Sequence, residues 1–153
     1  MRIVLVCPEI PQNTGNVVRT CAALGAELVL VRPLGFSIQD RDLRRAGLDY
    51  WLHVPVTIWD DWSPLLDLPR SPLFFSSHGT KSLDEVSYHA EDTLVFGSET
   101  SGLPLDLTSR YADRVVRIPM VDGRRCLNLA VAVGIAAYWG WGSLGFPGAA
   151  RQL

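Results

Sequence analysis

MRIVLVCPEIPQNTGNVVRTCAALG, residues 1–25, joins an apolar run, a polar loop and an amphipathic segment in that order. Arg2–Cys7 is rich in β-branched residues and closed by Pro8, so it reads as a strand covered on both faces, as parallel sheets require. Asn13 or Thr14 is expected to cap the helix that follows. Val17, Val18, Cys21 and Leu24 recur there at helical spacing, and Gly25 ends the pattern. The unit is β-loop-α.

The same alternation continues outward. Glu27–Val31 reads as a strand closed by Arg32-Pro33, and Asp40 is placed to cap a short basic helix, RDLRRAG, stopped by Gly47. Leu52–Ile58 reads as a strand whose Pro55 assigns it to a sheet edge or bulge. A short helix is expected over Asp60–Leu68, strands over Leu73–Ser76 and Thr93–Gly97, and a helix with proline in its first turn over Pro104–Tyr111. Arg114–Ile118 is the last strand, and Cys126–Trp141 the last helix. Strands alternating with helices predict an α/β fold with a mostly parallel sheet flanked by helices, in a single domain spanning residues 1–153.

Composition narrows the class. Of 153 residues 48% are hydrophobic and 20% charged, which suits one globular core rather than a disordered chain. Fourteen basic against sixteen acidic side chains give a net charge of −2, so a nucleic-acid partner has to be held by local patches. Cys7, Cys21 and Cys126 form no CxxC pair, and His53, His78 and His89 lack ligand spacing, so neither a disulfide framework nor a metal site is expected. With no signal-peptide zones and no apolar run long enough to cross a bilayer, a cytoplasmic protein without membrane contact is expected.

The last helix carries its own information. From Leu127 to Trp141 nearly every residue is apolar, so no polar face remains for solvent. Either it is a core helix buried on all sides or a second subunit covers it, and for a chain this short the expectation is a homodimer.

Three loops at the carboxyl ends of expected strands hold the polar groups, where open α/β sheets place ligands. They are PEIPQNTGNVVR, FGSETSGLP and IPMVDGRRCLN. No GxGxxG, GxxxxGK[ST] or GxSxG motif follows any strand, so dinucleotide, P-loop and hydrolase readings lack a warrant. The order and spacing of N-x-G-N-x-x-R (Asn13–Arg19), F-G-S-E-x-x-G-L-P (Phe96–Pro104) and I-P-M followed by C-L-N-L (Ile118–Leu129) resemble the three motifs of the SpoU-type, or SPOUT, RNA 2′-O-ribose methyltransferases. PLGF at Pro33–Phe36 and LRRAGLDYW at Leu43–Trp51 are similar to the minimal single-domain members that methylate wobble nucleotide 34, cytidine or a modified uridine, in the tRNA anticodon loop.

That resemblance implies a C-terminal deep trefoil knot, which periodicity could not have indicated because true knots are exceptional. It implies S-adenosylmethionine as cofactor, cradled by the loops around Phe75–Ser77, Gly97–Gly102 and Ile118–Leu127. Backbone groups of Gly97, Ile118 and Cys126 would hydrogen-bond it, while Phe75, Met120 and Leu127 would line the adenine site. Arg19 matches the family's motif-one arginine and is expected one turn into the first helix, pointing at the cofactor pocket. The family proposal makes it a general base; a guanidinium stays protonated, so orientation and charge stabilisation fit it better. Asn13, Glu99 and Asn128 would form the polar frame, unless Glu99 is an ordinary turn acid.

RNA phosphates would meet Arg41, Arg44 and Arg45 on the short basic helix, or that helix is simply a solvated face, and Arg124 and Arg125 beside the cofactor loop. Tyr138 matches a family position at the dimer interface. The chain departs from the family where Cys126, Ala130 and Val131 replace common polar residues and Trp139 replaces a common acid. Two other readings compete: methylation of another tRNA or rRNA ribose, and an RNA-binding module that kept the fold without turnover.

Overall fold

A computed structural model describes residues 1–39 and 41–150, without the side chains of Asp42, Arg44, Leu48 and Asp49. The expected cap Asp40 lies outside the described residues. Seven strands form one sheet: β1 (Arg2–Val6), β2 (Glu27–Val31), β3 (Val56–Trp59), β4 (Leu73–Phe75), β5 (Lys81–Ser82), β6 (Thr93–Phe96) and β7 (Val115–Arg117), in the spatial order β3-β2-β1-β6-β4-β7-β5. Every pairing is parallel. Four α-helices accompany them: α1 (Pro11–Leu24), α2 (Arg41–Gly47), α3 (Leu105–Arg110) and α4 (Leu129–Ser143).

The unbroken apolar strands follow from the sheet having both faces covered. Ile3 and Leu5 of β1, with Leu28, Leu30, Leu94 and Phe96, face α1 and α4. Val4 and Val6, with Val29, Val31, Phe74 and Val95, face Leu103 just before α3, Leu107 within it and Leu65 of a 3₁₀ turn at Ser63–Asp67. Alternate residues thus enter two cores, and each fully buried Leu, Ile or Phe contributes about 1.5–3 kcal/mol of transfer energy.

Several element ends differ from expectation. α1 begins at Pro11, whose missing N–H costs nothing at a helix start; Ile10 is its N-cap, and Asn13 and Thr14 are buried inside the first turn. Gly25 ends the helix in the left-handed region at φ 66°, as expected. Leu52 belongs to a 3₁₀ turn, Leu48–Leu52, so β3 starts only at Val56, after Pro55, and stands at one sheet edge. The helix expected over Asp60–Leu68 is the 3₁₀ turn Ser63–Asp67. α4 starts at Leu129, because Asn128 caps it by accepting from the N–H groups of Ala130 (2.9 Å) and Val131 (3.3 Å). β5, at the other edge, has too few residues to leave a periodic signal.

β7 lies between β4 and β5, which are consecutive in the chain. The 76–80 connection therefore crosses over β7: Ser76 donates its N–H to the Val116 carbonyl at 2.9 Å, and a Cβ on Gly79 would stand 2.5 Å from the Val116 carbonyl carbon.

α4 is not buried on all sides. Leu129, Val133, Ala136, Ala137 and Gly140 pack into the core, whereas Val131, Ile135, Tyr138 and Trp139 are exposed by 38–49%. Among the described residues no helix is long and apolar enough to cross a membrane.

Candidate active site

The strands all point one way, so the segments following β1, β4, β6 and β7 gather at one end of the sheet. A cavity of about 1050 Å³ opens there. Its floor is the stacked pair Phe75 and Phe96, at the ends of β4 and β6, with ring centroids 4.9 Å apart. Every residue expected to meet the cofactor lines it: Phe75, Ser77, Gly97, Gly102, Ile118, Met120, Cys126 and Leu127.

The turn after β6 has one geometry open to it. Ser98 and Gly102 exchange backbone hydrogen bonds of 3.1 and 3.0 Å, and Gly102 sits at φ 68°, where a side chain is strained. Gly97 has no room for a Cβ, which would run into the backbone of Gly102 and Leu103. The pinch leaves bare backbone facing the cavity.

Glu99, on that turn, reaches across to the start of α1. One carboxylate oxygen accepts from the N–H of Glu9 (2.8 Å), the other from the N–H of Ile10 (3.1 Å) and from Nδ2 of Asn13 (3.0 Å). A negative group at a helix N-terminus meets the positive end of the helix dipole. Asn13 Oδ1 in turn accepts from Nδ2 of Asn128 at 2.9 Å, and Asn128 caps α4. Asn13, Glu99 and Asn128 are thus one hydrogen-bonded chain joining the three motif loops, and Glu99 is not an ordinary turn acid.

Sequence reasoning missed the reciprocal clasp. The Glu9 carboxylate accepts from the Thr100 hydroxyl at 2.7 Å and from the Thr100 N–H at 3.1 Å. Its only trace in the sequence is an acid in PEIP and a hydroxyl in SETS, 91 residues apart. Ser76, within the expected Phe75–Ser77 loop, lines the cavity as well, and His78 and Thr80 do so unforeseen. Cys7 turns the chain at φ 52° after β1, and burial, then the nearby Glu9 carboxylate, push its thiol pKa up.

The arginines divide. Arg125 lines the cavity and Arg124 is exposed beside it. Arg41 and Arg45 are exposed on α2, while the Arg44 side chain lies outside the described residues. Arg19 does not meet its expectation. Because α1 starts at Pro11, Arg19 falls roughly two turns into the helix, exposed, and it is not among the residues lining its own chain's cavity.

The family model for the SpoU rRNA Methylase family matches residues 1–138. The chain belongs to that family. A curated relative from Escherichia coli (strain K12), named tRNA (cytidine(34)-2′-O)-methyltransferase, is 43% identical over 97% of both chains. A solved structure concerned with the 2-OH methylation of C/U34 on tRNA superposes with a TM-score of 0.88 at 48% identity, covering 94% of this chain and 95% of that one. An AdoMet-bound rRNA methyltransferase from Sinorhizobium meliloti is 26% identical with a TM-score of 0.79, over 94% of this chain and 56% of that one. In this SpoU chain the cavity therefore stands where the family's three motifs meet.

Proposed function

We propose that this protein is an S-adenosylmethionine-dependent methyltransferase acting on the ribose 2′-hydroxyl of nucleotide 34, cytidine or a modified uridine, in the tRNA anticodon loop. The observation that carries the reading is the Glu99–Asn13–Asn128 chain, which draws the three motif loops around one cavity in a chain of nearly the full length of its tRNA-modifying relatives. A tRNA substrate would place its work in the cytoplasm, and residues 1–153 would act as one catalytic domain with the knot expected of the family at β7.

The residues fit the cofactor. The cavity is large enough for a nucleoside with a side arm, and Phe75, Ile118, Met120 and Leu127 give it apolar walls against which a purine can lie. Gly97 and Gly102 carry no side chain that would hold the cofactor away from the backbone of the turn. Cys126 lines the cavity, and a contact made through its backbone would tolerate a thiol in place of a hydroxyl. When bound, S-adenosylmethionine supplies an electrophilic methyl group. The protein's part is to hold the ribose oxygen in line and to stabilise the charge that develops on it.

Arg19 is the residue for that charge, although it stands off its own cavity. α1, on which Arg19 is exposed, packs on α4, and α4 has an exposed apolar side. A second copy docked on Val131, Ile135, Tyr138 and Trp139 would bury that face and bring its Arg19 to the first copy's cavity. We therefore read the active enzyme as a homodimer, with Arg124 and Arg125 at the cavity and Arg41, Arg44 and Arg45 on α2 taking up RNA phosphates.

Methyl-labelled S-adenosylmethionine and bulk tRNA test this directly. Label should enter tRNA with the wild-type protein and fall to background with Arg19→Ala, whose affinity for S-adenosylmethionine stays near normal. Cofactor binding without any transfer to tRNA would leave the fold and remove the activity.

A further inference from the structure

α1 and α2 pack along each other, and at Gly15 they touch almost backbone to backbone. A Cβ on Gly15 would collide with the Cβ of Ala46 and stand 2.8 Å from the Leu43 carbonyl oxygen and 2.9 Å from the Gly47 nitrogen. All three neighbours belong to α2. On α2 itself, Leu43 is fully buried, and Gly47 is denied a side chain by the Trp51 indole, which lies where its Cβ would be. The helix is thus held between α1 and the 3₁₀ turn that follows it. Its Arg41 and Arg45 are exposed.

The seat of α2 shares a turn of α1 with the frame of the cavity. Gly15 lies two residues beyond Asn13, whose side chain bonds Glu99 and Asn128. Among the described residues, none of α2 lines the cavity. A shift of α2 would therefore move its arginines relative to the site while leaving the cofactor loops as they are.

We propose that Gly15 is a positioning residue for RNA: by admitting the backbone of α2, it fixes Arg41 and Arg45 at a set distance from the cavity, so that phosphates near the target nucleotide bind while its ribose is presented. The proposal rests on the reading of α2 as an RNA-facing helix. Without Gly15 a methyl group wedges α1 from α2. A close-packed contact accommodates added bulk by moving the backbone, here a short helix at the molecule's periphery.

The test is a coupling experiment on the full-length protein, reading KM for tRNA and calorimetric affinity for S-adenosylmethionine. The variants are Gly15→Ala, Ala46→Val, Arg41→Ala with Arg45→Ala, and each of the first two combined with the arginine pair. Ala46→Val adds bulk to the same contact from the other side, so it carries the test even if Gly15→Ala does not fold. The arginine pair should raise KM about ten-fold through lost phosphate contacts. Gly15→Ala and Ala46→Val should each raise KM about five-fold, with cofactor affinity unchanged, and each should add less than about two-fold once the arginines are gone, because both act through them. Full multiplication of the two effects overturns the proposal, as does a parallel loss of cofactor affinity. If the arginine pair leaves KM unchanged while methyl transfer persists, the placement of RNA on α2 fails and Gly15's role with it, but the assignment as a methyltransferase stands.

Discussion

Asn128 donates Nδ2–H to Oδ1 of Asn13 at 2.9 Å, joining two motif loops 115 residues apart in the chain. The same Asn128 holds the first N–H groups of α4 with its carbonyl oxygen, so one amide side chain both starts a helix and ties it to the site.

Asn128→Ala removes both roles. Loss of the cap alone costs about 1 kcal/mol, and the freed Asn13 amide leaves Glu99 without its indirect link to α4. Urea unfolding at pH 7 should show a destabilisation of about 1–2 kcal/mol, and calorimetry a weaker S-adenosylmethionine affinity. Asn13→Asp faces the Glu99 carboxylate with a second one and should weaken cofactor binding further. If both variants bind cofactor like wild type, the chain of amides does not organise the cavity.

Gly97→Ala and Gly102→Ala should separate space from strain. A methyl at Gly97 meets the Gly102–Leu103 backbone and must open the turn, so cofactor affinity should drop by more than about ten-fold, a loss of about 1.4 kcal/mol or more. At Gly102 nothing lies within 4 Å of an added Cβ, and only the left-handed backbone at φ 68° resists, for about 1 kcal/mol of stability. Equal effects on binding at the two positions would contradict this assignment.

Much of this was legible in the sequence for a physical reason. The strands flanking the site carry continuous apolar runs because both sheet faces are covered, and the cofactor loops follow strand ends, which geometry gathers at one edge. The glycines at 97 and 102 announce a turn by composition. What stayed hidden depends on contacts between distant segments. Asn13 carries the signature of a helix cap, yet Pro11 starts the helix earlier and releases that amide to Glu99. The Glu9–Thr100 clasp, the two-residue strand β5 and the insertion of β7 beside it leave no local pattern. Arg19 falls further along α1 than the expected Asn13 or Thr14 cap implied, because Pro11 starts the helix earlier.

Alkaline pH should expose the buried thiol of Cys21, which burial pushes up to about 12 from 9.0. Below pH 9 the thiol is protonated in both folded and unfolded chains and has no effect. Above it the unfolded chain loses the proton while the folded one keeps it, so stability falls by up to about 1.4 kcal/mol per pH unit until the folded thiol also ionises near pH 12. Tyr88 is raised by burial first and by Asp92 and Asp84 second, and it adds the same trend from higher pH. Unfolding midpoints between pH 8 and 10 should decline more steeply for wild type than for Cys21→Ala; parallel lines would rule the thiol out as the cause.

Ile135 and Tyr138, one helical turn apart on the exposed side of α4, test the dimer. Ile135→Glu or Tyr138→Glu should give a monomer in sedimentation velocity at micromolar concentration and abolish methyl transfer, with cofactor binding reduced far less. A wild-type protein that is monomeric under the same conditions, yet active, would remove the second copy's Arg19 from the mechanism.

The central claim is that three converging loops present the sugar of one tRNA nucleotide to a methyl donor. Digesting tRNA after reaction with labelled S-adenosylmethionine, and locating the added mass by tandem mass spectrometry, measures it most directly. The account requires the methyl group on the ribose 2′-oxygen of nucleotide 34. A methyl group on a base, or on the ribose of any other nucleotide, would contradict it.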